Sequence, residues 1–160
     1  LDHMLGLFSK FGLFDITIKA KGDLEVDQHH TVEDLGIALG KAFEKSLGDK
    51  KGINRSGYFA MPMDETMAIV AVDLSGRPYL VYDVKFDKDK LGGLDSDLVR
   101  EFFQGFVNNC RCSLQIRTFE AFTQHHKAEA IFKGFGKAMK MACSKDPRAA
   151  EEIPSTKGLL

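Results

Sequence analysis

Met4, Leu5, Leu7, Phe8 and Phe11 recur at helical spacing from Asp2 to Phe11, and predict a short amphipathic helix with His3 near its start and Gly12 as its stop. The pattern then changes to alternation. DITIKAK, the turn residues Gly22-Asp23 and the run LEV predict a hairpin over residues 14–26 with one buried face. Asp27 stands where the N-cap of a second helix belongs, and Leu35, Ile37, Leu39, Ala42 and Phe43 carry that helix to about Leu47, with Gly48 closing it.

KKGINRSGYFAMP has no periodicity and reads as a loop or short strand carrying Arg55. From Thr66 to Phe86, β-branched and aromatic residues on either side of Ser75-Gly76 predict strand, turn, strand. Leu98, Val99, Phe102, Phe103 and Phe106 line a third helix that Asp95 or Ser96 can cap, and SLQIRTF is again a strand. Thr123 is placed to cap a fourth helix, which runs to about Cys143 before Asp146-Pro147 breaks it.

The second and fourth helices open with the same text. QHHTVEDLGIALGKA and QHHKAEAIFKGFGKA share Gln, His, His, Glu, Gly, Lys and Ala in register, with His29 and His125 separated by 96 positions. DHMLGLF and REFFQGF stand at corresponding places upstream, so Glu101 is the repeat partner of His3. One domain over residues 1–160, made of two repeats at about 1–50 and 64–144, follows from this. Its expected class is α+β: duplicated half-domains, each a largely antiparallel sheet with helices on one face, the first half short of strands at its N-terminal end.

At 160 residues, 44% hydrophobic and 28% charged, the chain is long enough for a sizeable core. A net charge of −1 gives no basic footprint for nucleic acid or a membrane surface. Three cysteines without C-x-x-C pairs fit neither a disulfide framework nor a zinc finger, and favour a reducing, cytoplasmic setting. No apolar run approaches the roughly 20 residues of a membrane span, and no signal segment opens the chain. Leu1 rather than Met begins it, inside what reads as a working motif, which suggests a fragment.

Four of the five histidines lie in the two His-His copies, and the fifth is His3. A single His-His-x-x-Glu at a helix start is an ordinary surface feature; two in register point to metal. Glu33 can chelate with His29 or His30, and Glu129 with His125 or His126, because residues three and four apart are helical neighbours. Adjacent histidines diverge by about 100° around the axis and do not readily share an ion, so two ions are the natural count. Imidazole and carboxylate donors without cysteine suit Mn, Fe, Zn or Ni. A second, cationic constellation comprises Arg55, Arg77, Lys133 and the terminal Ser155, Thr156 and Lys157, a set suited to phosphate. No Gly-rich nucleotide loop is present.

LDHML, GDLEVDQHHTVEDLGIALG, GINRSGYFAMPMDET, VDLSGRPYLVYD, QHHKAEAIFKGFGKA and PSTKG together resemble the imidazoleglycerol-phosphate dehydratases of histidine biosynthesis, across essentially the whole chain. The resemblance implies a duplicated α+β fold like the second domain of ribosomal protein S5, two Mn2+ per active site and a cytoplasmic homo-oligomeric shell of 24 subunits with active sites between subunits. It implies a hydro-lyase that binds the imidazole of imidazole glycerol phosphate as imidazolate, removes a poorly acidic C–H proton and water, and yields imidazole acetol phosphate through an enol. Carried over position by position, the metal ligands are His3, His29, His30, Glu33, Glu101, His125, His126 and Glu129. Of these, Glu33, His30, Glu129 and His126 are the catalytic set. Arg55, Arg77, Lys133, Ser155, Thr156 and Lys157 bind the substrate phosphate.

The chain departs from the family pattern in several places. About 30 to 40 residues that open family members, a length in keeping with a strand pair, are absent, with the Glu-Thr motif whose glutamate transfers a proton. Ala121 and Thr123 replace a Gly and an Asn, Gln115 stands where histidine is common, and Phe11 likewise. Two other functions suit the same residues: a non-catalytic metal-binding shell or assembly protein, and a two-metal phosphate-ester hydrolase.

Overall fold

The computed structural model describes residues 1–159. Four helices, α1 (Asp2–Gly12), α2 (His29–Leu47), α3 (Leu98–Cys110) and α4 (Gln124–Cys143), accompany β1 (Ser56–Met63), β2 (Thr66–Asp73), β3 (Tyr79–Asp83) and β6 (Ser113–Thr118). The short pair β4 (Lys90–Leu91) and β5 (Leu94–Asp95) forms a separate clip before α3. The sheet is mixed, in the order β1-β2-β6-β3, with β6 antiparallel to β2 and parallel to β3.

The helices cover one face. Thr66, Ala68, Val70 and Val72 of β2 point into the core, while Ile69 between them is exposed. On the core side α4 packs against β1 and β2, α1 packs on α4, and α2 packs on α3. Phe102, Phe103, Phe106, Phe132 and Phe135 are fully buried between these layers, with the Phe103–Phe132 and Phe106–Phe135 ring centroids 5.2 and 5.0 Å apart. Each such side chain contributes about 1.5–3 kcal/mol of apolar burial. Phe8 stacks on Phe135 at 4.6 Å and so fastens α1 to α4.

Five expectations are corrected. Residues 14–26 form no hairpin: Phe14 and Ile16 lean on the core, but Leu24 and Val26 are 63% and 66% exposed, and among the described residues no ladder partner faces the segment. Alternation alone cannot make a strand whose N–H and C=O groups find no neighbour. As a result residues 1–50 bring helices but no strand to the sheet. The segments flanking Ser75-Gly76 are strands, but not neighbours, because β6 lies between them. Leu114 and Ile116 of β6 are fully buried and take the interior position, leaving the half-exposed β3 at the edge, joined to β6 through α3.

Gly12 does not stop α1. The stop is Leu13, in left-handed conformation at φ 55°, with its N–H on the Ser9 carbonyl. Asp27 lies one residue outside the α2 cap, Gln28, yet its carboxylate still accepts from the His29 amide at 2.8 Å. Thr123 does hold the N-cap position of α4, without a side-chain bond to the helix, and Asp97 rather than Asp95 or Ser96 holds that of α3.

Candidate metal centre

The first turn of α4 and the start of α1 meet at Glu129. His125, one turn earlier on α4, places Nε2 at 2.9 Å from Glu129 Oε1, and His3 of α1 places its own Nε2 at 2.8 Å from the same oxygen. The two imidazoles lie nearly parallel, 8° apart, with centroids separated by 5.7 Å. Lys133, a further turn along, donates to the other oxygen, Oε2, at 2.7 Å. Burial alone would push the Glu129 carboxyl up, but the Lys133 and His3 hydrogen bonds prevail and hold it at about 2. This carboxylate is therefore an anion at neutral pH with two imidazole nitrogens on one oxygen, a three-donor group able to hold a cation.

His126, adjacent in sequence, faces elsewhere. Its Nδ1 lies 3.0 Å from Glu65 Oε2 and 3.7 Å from Asp64 Oδ2, in the two-residue turn between β1 and β2. These make the second three-donor group among the described residues. The His126 bond is the main reason Glu65 is held at about 2, and Glu65 in turn raises His126. Glu65 Oε1 also accepts from the Thr123 amide at 2.8 Å, tying down the start of α4. Sequence reasoning missed Asp64 and Glu65; an acidic pair filling a tight turn between apolar strands is the signal that marks them.

On α2 the same divergence holds. His29 turns its Nε2 toward Glu33 Oε2 at 3.8 Å, and His30 gives Nδ1 to Asp23 Oδ2 at 3.2 Å, the rings standing 87° apart. Asp23 was likewise missed. Glu101 pairs with Arg100 at 3.2 Å. Among the described residues, the α2 histidines, Glu33 and Glu101 join neither three-donor group, so the two His-His copies do not close one site within the chain.

The cationic set is divided as well. Arg55, at φ 66°, grips Asp73 through Nε and one terminal nitrogen at 2.7 and 3.1 Å and donates to the carbonyl of Pro154, the residue before Ser155, at 2.9 Å. Arg77 is exposed and makes no ion pair among the described residues. Lys133 is engaged with Glu129, with its ammonium also 5.6 Å from the centroid of the Phe11 ring. Arg55 and Asp73 mark one end of the β1–β2 pair and Glu65 the other. Eight residues of strand put those ends about 26 Å apart.

The family model for imidazoleglycerol-phosphate dehydratase matches residues 1–139. The chain belongs to the imidazoleglycerol-phosphate dehydratase family. It is 56% identical over 160 residues to the imidazoleglycerol-phosphate dehydratase of Trichlorobacter lovleyi, covering all of this chain and 82% of that one. Against that of Koribacter versatilis the identity is 54% over 159 residues, covering 99% and 82%. The crystal structure of the Staphylococcus aureus dehydratase superposes with a TM-score of 0.85 at 41% identity, over 91% of this chain and 82% of that one. That of the Pyrococcus furiosus dehydratase in complex with (S)-C348 gives 0.87 at 37%, over 99% and 85%. Members of this family are the hydro-lyases of histidine biosynthesis. No described helix is long and apolar enough to cross a membrane.

Proposed function

We propose that the chain dehydrates imidazole glycerol phosphate to imidazole acetol phosphate at centres holding two Mn2+ ions, each centre built from more than one copy of the chain. The observation that carries the shared centre is the separation of its parts. The phosphate grip at Arg55 and the histidine-bearing turn of α4 lie at opposite ends of the β1–β2 pair, about 26 Å apart by strand rise. That is too far for one small substrate to reach both in one chain, so the grip of one copy serves the metal ligands of another.

The donor set fits manganese. Imidazole nitrogens and carboxylates converge, no cysteine joins them, and Glu129 keeps its charge through the physiological range. His3, His125 and Glu129 would belong to one ion and His126 to the other, with the diverging His29 and His30 of a neighbouring copy divided between the two ions and its Glu33 and Glu101 completing the set. Bound manganese supplies Lewis acidity toward the substrate imidazole, stabilising the charge left when a weakly acidic C–H proton departs. Arg55, held rigid by Asp73 and followed through Pro154 by Ser155 to Lys157, offers a prepared phosphate site to which Arg77 adds charge, and Lys133 would reach it from the copy that supplies the metal ligands. Anchoring the phosphate positions the hydroxyl that leaves as water.

The duplicated architecture is part of this reading. A Cβ on Gly136 of α4 would stand 2.6 Å from the Phe8 carbonyl and 2.9 Å from the Gly12 amide of α1; on Gly40 of α2 it would stand 2.5 Å from the Phe106 carbonyl and 3.0 Å from the Cys110 amide of α3. Leu13 and Arg111 end α1 and α3 with the same left-handed cap. Two helix pairs that cross at corresponding residues support one domain of two repeats, in which Glu101 occupies the place of His3. The shared centre also supports a closed homo-oligomer, the 24-subunit shell that the family resemblance implies. Buried free thiols at Cys110 and Cys112 suit a reducing cytoplasm.

The test is reconstitution. Metal-free protein given Mn2+ is expected to convert imidazole glycerol phosphate to a phosphorylated ketone with no release of inorganic phosphate. Phosphate release would instead make the chain a hydrolase, and manganese uptake without turnover a binding protein.

A further inference from the structure

The two histidines of each pair are presented in different ways. His125 and His29 turn Nε2 toward the glutamate four residues later on their own helix, at 2.9 and 3.8 Å. His126 and His30 instead give Nδ1 to a carboxylate from outside the helix, Glu65 at 3.0 Å and Asp23 at 3.2 Å. The external carboxylates come from unrelated places, the β1–β2 turn and the segment before α2, so the repeat does not explain their agreement.

We propose that Glu65 is a positioning residue of the metal centre: it takes the Nδ1–H of His126, leaving Nε2 as the nitrogen that meets the ion, and through Thr123 fixes the helix start that carries the imidazole. A carboxylate behind a ligating histidine selects the tautomer, orients the ring and raises the basicity of the ligating nitrogen. Glu65 is suited to this because its second oxygen is committed to the Thr123 amide at 2.8 Å, which locks the carboxylate against the first turn of α4. Asp64, 3.7 Å from His126 Nδ1, adds negative potential but no hydrogen bond. Asp23 plays the corresponding part for His30.

This inference rests on the manganese reading above, and its test separates the two. Nitrogen NMR of the metal-free full chain, at a pH where imidazole is neutral, is expected to show His126 protonated on Nδ1 in the parent and in Glu65→Gln, whose side-chain carbonyl still accepts. In Glu65→Ala the proton should redistribute toward Nε2. Titration with Mn2+ is expected to show affinity lowered about ten- to hundredfold in Glu65→Ala and less in Glu65→Gln. Circular dichroism confirms that helix content is kept, and if the alanine chain does not fold, the glutamine chain alone decides. An Nε2 proton in the parent, or parental Mn2+ affinity in a folded Glu65→Ala chain, overturns the proposal. So does a Glu65→Gln chain that keeps the Nδ1 proton yet loses Mn2+ affinity more than a hundredfold, since Glu65 would then be a ligand. Failure of the parent to bind Mn2+ overturns the manganese reading itself, and this inference with it.

Discussion

Glu129 and His3, 126 positions apart in sequence, meet at 2.8 Å across the contact between α4 and α1. The glutamate is only 11% exposed, and its folded pKa is depressed from 4.5 to about 2. A carboxylate held below its unfolded value stabilises the fold above pH 4.5, and that contribution is lost as pH falls toward 2. Glu129→Gln is expected to flatten the acid limb of the stability curve of the metal-free chain and to cost on the order of 2 kcal/mol at neutral pH. Urea titrations between pH 7 and pH 3 check both; an unchanged acid limb would count against the hydrogen bonds assigned to this carboxylate.

The close helix crossings make an opposite pair of predictions. Gly136→Ala and Gly40→Ala each drive a methyl group into a backbone carbonyl, at 2.6 and 2.5 Å, and are expected to destabilise by about 1–3 kcal/mol or more. Gly6, inside α1, has nothing within 4 Å of its Cβ direction, so Gly6→Ala is expected to stabilise by about 0.5–1 kcal/mol. Denaturant midpoints of the three variants decide.

Much of the helical framework could be read from sequence because it depends on local periodicity and local stops. The last apolar positions of α2 and α4, and the helix starts at the two His-His pairs, fell within a residue or two of expectation. Strand pairing depends on distant partners. DITIKAK alternates as a strand should and finds no neighbour, while the segments flanking Ser75-Gly76 look like a hairpin and are kept apart by a strand some 30 residues later in the chain. The site was legible to the same extent. Repetition marks the histidines, and their divergence on a helix follows from its geometry. The acidic turn can be read in sequence, but that Glu65 and Asp23 back the histidines is visible only when the segment holding each is brought to the helix start.

Asp73 gives a further prediction. Its two oxygens hold the Arg55 guanidinium in a fork, which presents the remaining terminal nitrogen to Pro154 and the segment that follows. Asp73→Asn removes the charge and one of the two acceptors. KM for imidazole glycerol phosphate is expected to rise about tenfold with a smaller change in kcat, as befits uniform binding of a remote group. Steady-state kinetics check this, and an unchanged KM would remove Arg55 from the phosphate grip.

The central claim is that one copy holds the phosphate while another supplies the metal ligands, and mixing two inactive chains tests it most directly. Arg55→Ala and His125→Ala are each expected to abolish dehydration. Dissociated, combined in equal amounts and reassembled with Mn2+, they are expected to recover about a quarter of parental activity, because random assembly of a two-copy site leaves that fraction intact. A mixture as inactive as its components would place the whole site within one chain and contradict the account.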